Sequence, residues 1–144
     1  MEIQTLHRGR LIDHIQLIVR DLEASRRFYK ALFEVLGLPI AGEGEDYFWV
    51  DELFVSTADS EAAAGQLTGR HHLAFQARDR AMGEAWHAAG LKAGGRDNGA
   101  PGERKYHPGY YAAFLLDPDG NNVEAVYHGE ARKNVESVEV TFET

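Results

Sequence analysis

One internal repeat constrains the fold of this chain more than any other feature. Residues 13–21 (DHIQLIVRD) align without gaps on residues 71–79 (HHLAFQARD), at an offset of 58 positions. Each copy alternates as a strand does and ends in an aspartate suited to cap a following helix. A single duplication of a unit of about 60 residues predicts two supersecondary units and argues against a solenoid.

The residues after the first copy predict one helix and three strands. Apolar residues recur at helical spacing behind Asp21, and Gly37 is suited to end that helix. Short segments rich in aromatic and β-branched residues follow, separated by turn-forming residues. We place these strands at residues 38–42, 47–50 and 53–57.

The second copy predicts the same order of elements. Asp79 should cap a shorter helix that ends at Gly90. We then expect a short strand at 92–95, a loop at 96–109, and strands at 110–116 and 123–127.

We therefore predict an α+β fold of two paired βαβββ modules. Residues 1–144 form a single domain, with the first module at 11–57, the second at 70–128 and a C-terminal tail at 129–144. The alternating residues 138–142 in the tail predict an edge strand or a contact with a partner chain.

Composition limits the partners and the chemistry. The chain has no cysteine, so any metal site must use histidine, carboxylate or water, and we predict a cytoplasmic protein. Its 15 basic and 23 acidic residues give a net charge of −8, which disfavours nucleic acid and anionic membranes as partners. No apolar run approaches the length needed to span a membrane.

Three residues form the candidate metal site. His14 and His72 occupy matching positions of the repeat. Glu124 follows the turn at 117–122 and faces away from the packing residues of its own strand, where an unpaired carboxylate would be costly. If matching strands face one another across a pseudo-twofold axis, two imidazoles and one carboxylate converge, a set suited to Fe, Mn, Ni or Zn.

Each candidate has a structural alternative. A single half-buried histidine is more often structural than a metal ligand, and only the repeat and Glu124 reverse that preference. Tyr111 and His107 belong to the segment 106–111, which should overhang the cleft, and either is a candidate general acid or base. Ordinary loop and barrel aromatics are an equally good interpretation of both. The counterpart of Glu124 in the first module falls in the apolar segment 53–55, so the site should be open on that side.

The repeated strand and helix, with His14, His72 and the segment DPDGNNVE at 117–124, resemble the vicinal oxygen chelate superfamily. This group includes glyoxalase I, extradiol dioxygenases, fosfomycin-resistance enzymes and bleomycin-resistance proteins. The resemblance covers about residues 11–128 and implies paired βαβββ modules that form an incomplete barrel around a divalent metal, often in a homodimer. Glyoxalase I uses four protein ligands, whereas this sequence supplies three, as the dioxygenases and fosfomycin-resistance enzymes do.

The resemblance implies a metal-dependent lyase or dioxygenase whose small oxygenated substrate is chelated by the metal. Glu124 would then belong to the catalytic machinery as a ligand. An alternative from another class is a metal-free protein that sequesters a small ligand, as bleomycin-resistance proteins do, and the negative net charge would suit a cationic ligand.

Overall fold

Two helices and ten strands are present in the computed structural model, which describes residues 3–10, 12–60, 63, 65–69, 71–130, 132 and 137–143. The strands of the first half are β1 (Ile3–Arg8), β2 (Ile15–Val19), β3 (Gly42–Glu43), β4 (Tyr47–Val50) and β5 (Leu53–Thr57). Those of the second half are β6 (His72–Gln76), β7 (Arg96–Glu103), β8 (Tyr111–Leu116), β9 (Asn122–Tyr127) and β10 (Val138–Glu143). The helices are α1 (Leu22–Val35) and α2 (Arg80–Lys92).

The two predicted modules are confirmed as two four-stranded sheets with the same topology. In the first sheet β2 pairs in parallel with β5, and the strand order is β2-β5-β4-β3. In the second, β6 pairs in parallel with β9, and the order is β6-β9-β8-β7. The start of each predicted module, residues 11 and 70, lies outside the described residues, as do residues 61, 62 and 64 of the connecting segment.

The caps predicted from the repeat are confirmed. The side chain of Asp21 accepts a hydrogen bond from Ala24 N at 3.1 Å, and that of Asp79 accepts one from Met82 N at 2.7 Å. Each satisfies a backbone donor that the helix itself leaves free. Gly37 follows α1 with a φ of +77°, the left-handed conformation that glycine adopts without steric cost.

Three predicted boundaries are wrong. In place of the strand predicted at 38–42 there is only the two-residue strand Gly42–Glu43, and the backbone N–H of Leu38 turns back to Phe33 O at 2.8 Å. Helix α2 continues past Gly90 to Lys92, since Gly90 is buried against neighbouring leucines and does not end the helix. In place of the strand predicted at 92–95 and the loop predicted at 96–109, the edge strand β7 runs from Arg96 to Glu103, and its glycines are accommodated by irregular register against β8.

The first and last strands form a separate two-stranded ribbon. β1 pairs antiparallel with β10, which confirms the strand predicted in the tail. Leu6, Val138, Val140 and Phe142 share one face of this ribbon by register, and the last three are 39–40% exposed. An isolated two-stranded ribbon is at best marginally stable in water, so these three exposed apolar side chains call for cover.

Both sheets pack their apolar faces against one shared core. Helix α1 contacts the second module directly, because Phe33 meets Phe75 edge-on at 5.0 Å between ring centroids. The Tyr29 hydroxyl of α1 also donates to the buried Asp117 of the second module at 2.6 Å. The opposite faces of the sheets, which carry the candidate ligands, therefore point away from this core. Within the described residues, neither helix is long and apolar enough to cross a membrane.

Candidate metal site

His72 and Glu124 lie together on adjacent strands of the second sheet. In the parallel pairing of β6 with β9, Ala74 is opposite Glu124, and His72 lies two residues earlier on the same face. His72 Nε2 is 2.8 Å from Glu124 Oε1. The His72 imidazole is 45% exposed and the Glu124 carboxylate 4% exposed. The buried carboxylate therefore has a partner that reaches the protein surface.

The second oxygen of Glu124 is bound by Tyr110, which belongs to the candidate segment 106–111, whereas the sequence prediction named its neighbour Tyr111. The Tyr110 hydroxyl donates a hydrogen bond to Glu124 Oε2. Burial raises the pKa of Tyr110 to about 12, and the neighbouring carboxylate adds to the shift. The phenol therefore keeps its proton at neutral pH and acts as a donor. Because side chains alternate along a strand, Tyr110 and Phe114 lie on the same face. This shared face was the sequence signal that could have identified Tyr110 as a partner of Glu124.

His14 lies on the face of the first sheet that corresponds to the His72 face. Its Nδ1 is 2.7 Å from Asp13 Oδ1, its ring meets Phe54 edge-on at 5.5 Å, and its side chain is 57% exposed. Among the residues that the structure describes, no three His, Asp or Glu side chains lie close enough to hold one metal ion. A single chain thus brings two of the three predicted ligands together and leaves His14 on the other sheet.

Phe54 takes the place in the first module that Glu124 takes in the second. Gln16 is opposite Phe54 in one sheet, and its repeat counterpart Ala74 is opposite Glu124 in the other. Phe54 stacks on Trp49 with ring centroids 5.4 Å apart and planes inclined by 9°. The apolar counterpart expected at residues 53–55 is therefore an aromatic wall beside His14.

Tyr111 and His107 lie in different surroundings. The Tyr111 hydroxyl donates to Glu84 Oε1 at 3.3 Å, and the Arg80 guanidinium lies 4.7 Å from the ring centre, so Tyr111 faces helix α2. Burial raises the pKa of Tyr111, with Glu84 contributing. His107 lies beside Tyr110, with ring centroids 5.4 Å apart, and its Nε2 is 2.9 Å from His128 Nδ1. Their catalytic roles stay predictions.

The donor types fit a divalent cation, although the arrangement in one chain is incomplete. An imidazole nitrogen and a carboxylate oxygen side by side are ligands that Fe, Mn, Ni and Zn accept. In the described part of the chain, the hydrogen-bond partners of the buried Glu124 carboxylate are His72 and Tyr110, with no Lys or Arg among them. A cation bound near Glu124 would lower the free energy of burying the charge of its carboxylate.

The sequence matches the family described as Glyoxalase/Bleomycin resistance protein/Dioxygenase superfamily over residues 11–125. A glyoxalase/bleomycin resistance protein from Albidiferax ferrireducens is 30% identical, with a TM-score of 0.66 over 81% of this chain and 97% of that one. Among curated protein sequences, no match was found.

Two further solved structures share the fold at lower identity. A glyoxalase/bleomycin resistance protein/dioxygenase family enzyme from Burkholderia phytofirmans is 21% identical, with a TM-score of 0.63 over 79% of this chain and 95% of that one. A lactoylglutathione lyase from Agrobacterium tumefaciens is also 21% identical, with a TM-score of 0.57 over 82% and 93% of the two chains.

Proposed function

Because this chain belongs to the glyoxalase/bleomycin resistance protein/dioxygenase superfamily, we propose that it is a divalent-metal-dependent enzyme acting on a small oxygenated organic molecule. Its ligands for Fe, Mn, Ni or Zn are His14, His72 and Glu124. The observation that carries the proposal is the pairing of His72 Nε2 with Glu124 Oε1 at 2.8 Å, on strands whose register repeats in the first module. A cytoplasmic location stays a prediction.

The site is completed between two copies of the chain. Within one chain the ligand-bearing faces of both sheets point away from the shared core, so His14 needs a second sheet opposite it. A twofold axis can place the first sheet of one protomer against the second sheet of its partner. The exposed apolar face of the β1–β10 ribbon supports this homodimer, because a partner chain would cover it.

His14, His72 and Glu124 would hold the metal, which when bound would supply Lewis-acid polarisation of a substrate oxygen. Phe54, at the position equivalent to Glu124, adds no fourth ligand and so leaves room for substrate oxygens. The stacked Trp49 and Phe54 rings, both partly buried, form an aromatic wall beside that open side. His107, whose ring lies beside that of Tyr110, is the candidate for handling the proton of the reaction. The other predicted candidate, Tyr111, faces helix α2 and is tested beside it.

A mixing experiment tests the shared site. His14→Ala and His72→Ala variants each lack one ligand in every site. If the site forms between chains, a mixed dimer regains one intact site, and random exchange restores about one quarter of all sites. Bound metal, measured by elemental analysis after mixing and dialysis, should rise to that level. No recovery in dimers shown to have exchanged would contradict a site shared between chains.

The ligand role of Glu124 is tested by a charge-neutral substitution. Glu124→Gln should weaken metal binding by more than the 10–100-fold that loss of an outer partner typically costs. Glu34→Gln makes the same chemical change at an exposed position of α1 and should leave the affinity unchanged. Calorimetric titration with Mn²⁺ and Zn²⁺ measures both. Equal affinities of the two variants would contradict the assignment.

Turnover is then sought with glutathione adducts of 2-oxoaldehydes, with catechols, and with fosfomycin and thiols. Where a substrate is found, Tyr111→Phe or His107→Ala should slow turnover by about 10²–10⁴-fold if the removed group is the general acid or base. Metal affinity should stay unchanged in both variants. A rate within twofold of the parent protein for either variant removes that residue from the role.

A metal-free binding protein is the second candidate. The Trp49–Phe54 stack favours it, because the Arg8 guanidinium already lies 6.0 and 5.7 Å from the two ring centres, as an organic cation would, and the net charge of −8 attracts cations. This function would be preferred if metal-loaded protein turned over no substrate while Glu124→Gln held a cationic ligand with full affinity.

A further inference from the structure

The hydroxyl of Tyr110 and the imidazole of His72 divide the two oxygens of Glu124 between them. His72 Nε2 lies 2.8 Å from Oε1, whereas the Tyr110 hydroxyl donates to Oε2. The two partners come from opposite sides, since β6 and β8 flank β9 in the sheet. The carboxylate is thereby held in one orientation.

Neighbouring rings hold the ring of Tyr110 on three sides. It meets Tyr106 at 4.9 Å between centroids, and His107 and His128 at 5.4 Å each, all at steep angles of 62° to 84°. Edge-to-face contacts of this kind favour one ring position over others. Tyr110 is therefore constrained before any ligand is bound.

The backbone around this cluster is constrained as well. Gly109 and Gly129 have φ values of +87° and +72°, and a methyl group on Gly129 would lie 3.2 Å from Gly109 Cα. This close approach ties the loop before β8 to the end of β9. Because Pro108 O can only accept, His107 Nδ1 donates to it at 2.8 Å, which leaves Nε2 for His128.

We propose that Tyr110 is a positioning residue that makes Glu124 a ligand through one oxygen only. The inference rests on the proposed metal site. When His72 turns its nitrogen to a cation, Oε1 is released, while Oε2 stays hydrogen-bonded to Tyr110 and is withheld from the metal. One coordination position that a two-oxygen carboxylate would fill is thus kept open for substrate.

A purely structural role would have a different consequence. If Tyr110 only satisfied the buried carboxylate, Tyr110→Phe would lower thermal stability and leave the coordination of a bound metal as it was. The proposal requires instead that coordination itself change, because Glu124 then becomes free to bind through both oxygens. A spectroscopic signature separates the two roles.

The experiment uses Co²⁺ as the probe with the full-length protein. Tyr110→Phe should weaken Co²⁺ binding by about 10–100-fold, the usual cost of losing a hydrogen-bond partner of a ligand. At saturating Co²⁺ its visible absorption should become weaker, as expected when the number of ligand atoms rises. Tyr111→Phe removes a hydroxyl one residue away that faces Glu84, and should match the parent protein in Co²⁺ affinity and spectrum.

The outcomes are distinguishable. If the parent protein binds no Co²⁺, the proposed metal-dependent function fails. If the parent protein binds Co²⁺ and the spectrum of Tyr110→Phe at saturating Co²⁺ is the same, whatever its affinity, the positioning role is overturned while the metal site stands. Thermal melting verifies that the variant folds, and Tyr110→Leu is a second variant without the hydroxyl.

Discussion

Two glycines of helix α2 allow the packing between the modules to be measured with one chemical change. Gly83 and Gly90 are both buried in α2. They lie on the same side of the helix, two turns apart. A methyl group at Gly90 would overlap Leu115 Cδ1 and lie 2.8 Å from Leu32 Cδ2 of helix α1. At Gly83 the nearest atoms, on the Tyr111 ring, would be 3.9 Å away, which is ordinary contact.

Glycine-to-alanine substitution therefore has opposite expected effects at the two sites. Replacing glycine in a helix interior gains up to about 1 kcal/mol from backbone entropy. Gly83→Ala should keep that gain as increased stability. At Gly90 the same gain is offset by overpacking, which typically costs about 1–3 kcal/mol. The free energies of unfolding of the two variants should thus differ by about 1–3 kcal/mol, with Gly90→Ala the less stable.

Urea unfolding followed by far-ultraviolet circular dichroism measures this difference, and equal slopes of the two transitions would show that compactness is unchanged. The helix propensity cancels between the variants, so the difference isolates contact with Leu32 and Leu115. If Gly90→Ala proved as stable as Gly83→Ala, α1 and α2 would not meet as closely as described, and the shared core would be in doubt.

Three further predictions test other contacts. Tyr29→Phe removes the buried hydrogen bond to Asp117 and should lower the free energy of unfolding by about 1.5–3 kcal/mol in urea, the range for bonds to charged groups. The control Tyr47→Phe, at a residue 42% exposed, should lower it by almost nothing. Equal losses of stability in the two variants would contradict the contact between the modules. Burial lowers the pKa of His71 below 6.5, so as the pH falls through that value the unfolded chain binds the proton first and the native state loses stability. His71→Gln should therefore flatten the dependence of the melting temperature on pH between about 5 and 7. An unchanged pH profile would refute this role of His71. Phe54→Glu places a carboxylate at the position equivalent to Glu124 and should strengthen Zn²⁺ binding measured by calorimetry; weaker binding would show that this position does not face the metal.

The homodimer has a direct test of its own. Sedimentation of the parent protein at micromolar concentration should give twice the 16.0 kDa of one chain. Replacing Val140 and Phe142 of the ribbon by serine should shift the equilibrium toward monomer, because their exposed apolar surface favours association. A single-chain species in the parent protein would count against assembly.

The sequence by itself determined the features that depend on local periodicity and on the repeat. Strand alternation and an offset of 58 residues were enough to predict both modules, both aspartate caps and the matching positions of His14 and His72. Alternation also placed Glu124 on the face away from its packing neighbours. These properties follow from the two-residue period of a strand and the free donors at a helix start.

Only the tertiary structure decided which side chains meet. Gly90 is of the residue type that often ends a helix, yet close packing against α1 keeps it inside α2. The short strand β3 and the edge strand β7 depend on partners distant along the chain, which local propensity does not encode. Tyr110 reaches Glu124, and Tyr111 does not, because strand pairing turns adjacent side chains to opposite faces. The separation of His14 from His72 and Glu124 has the same origin: both sheets bury their apolar faces in one core, and this turns the ligand-bearing faces outward.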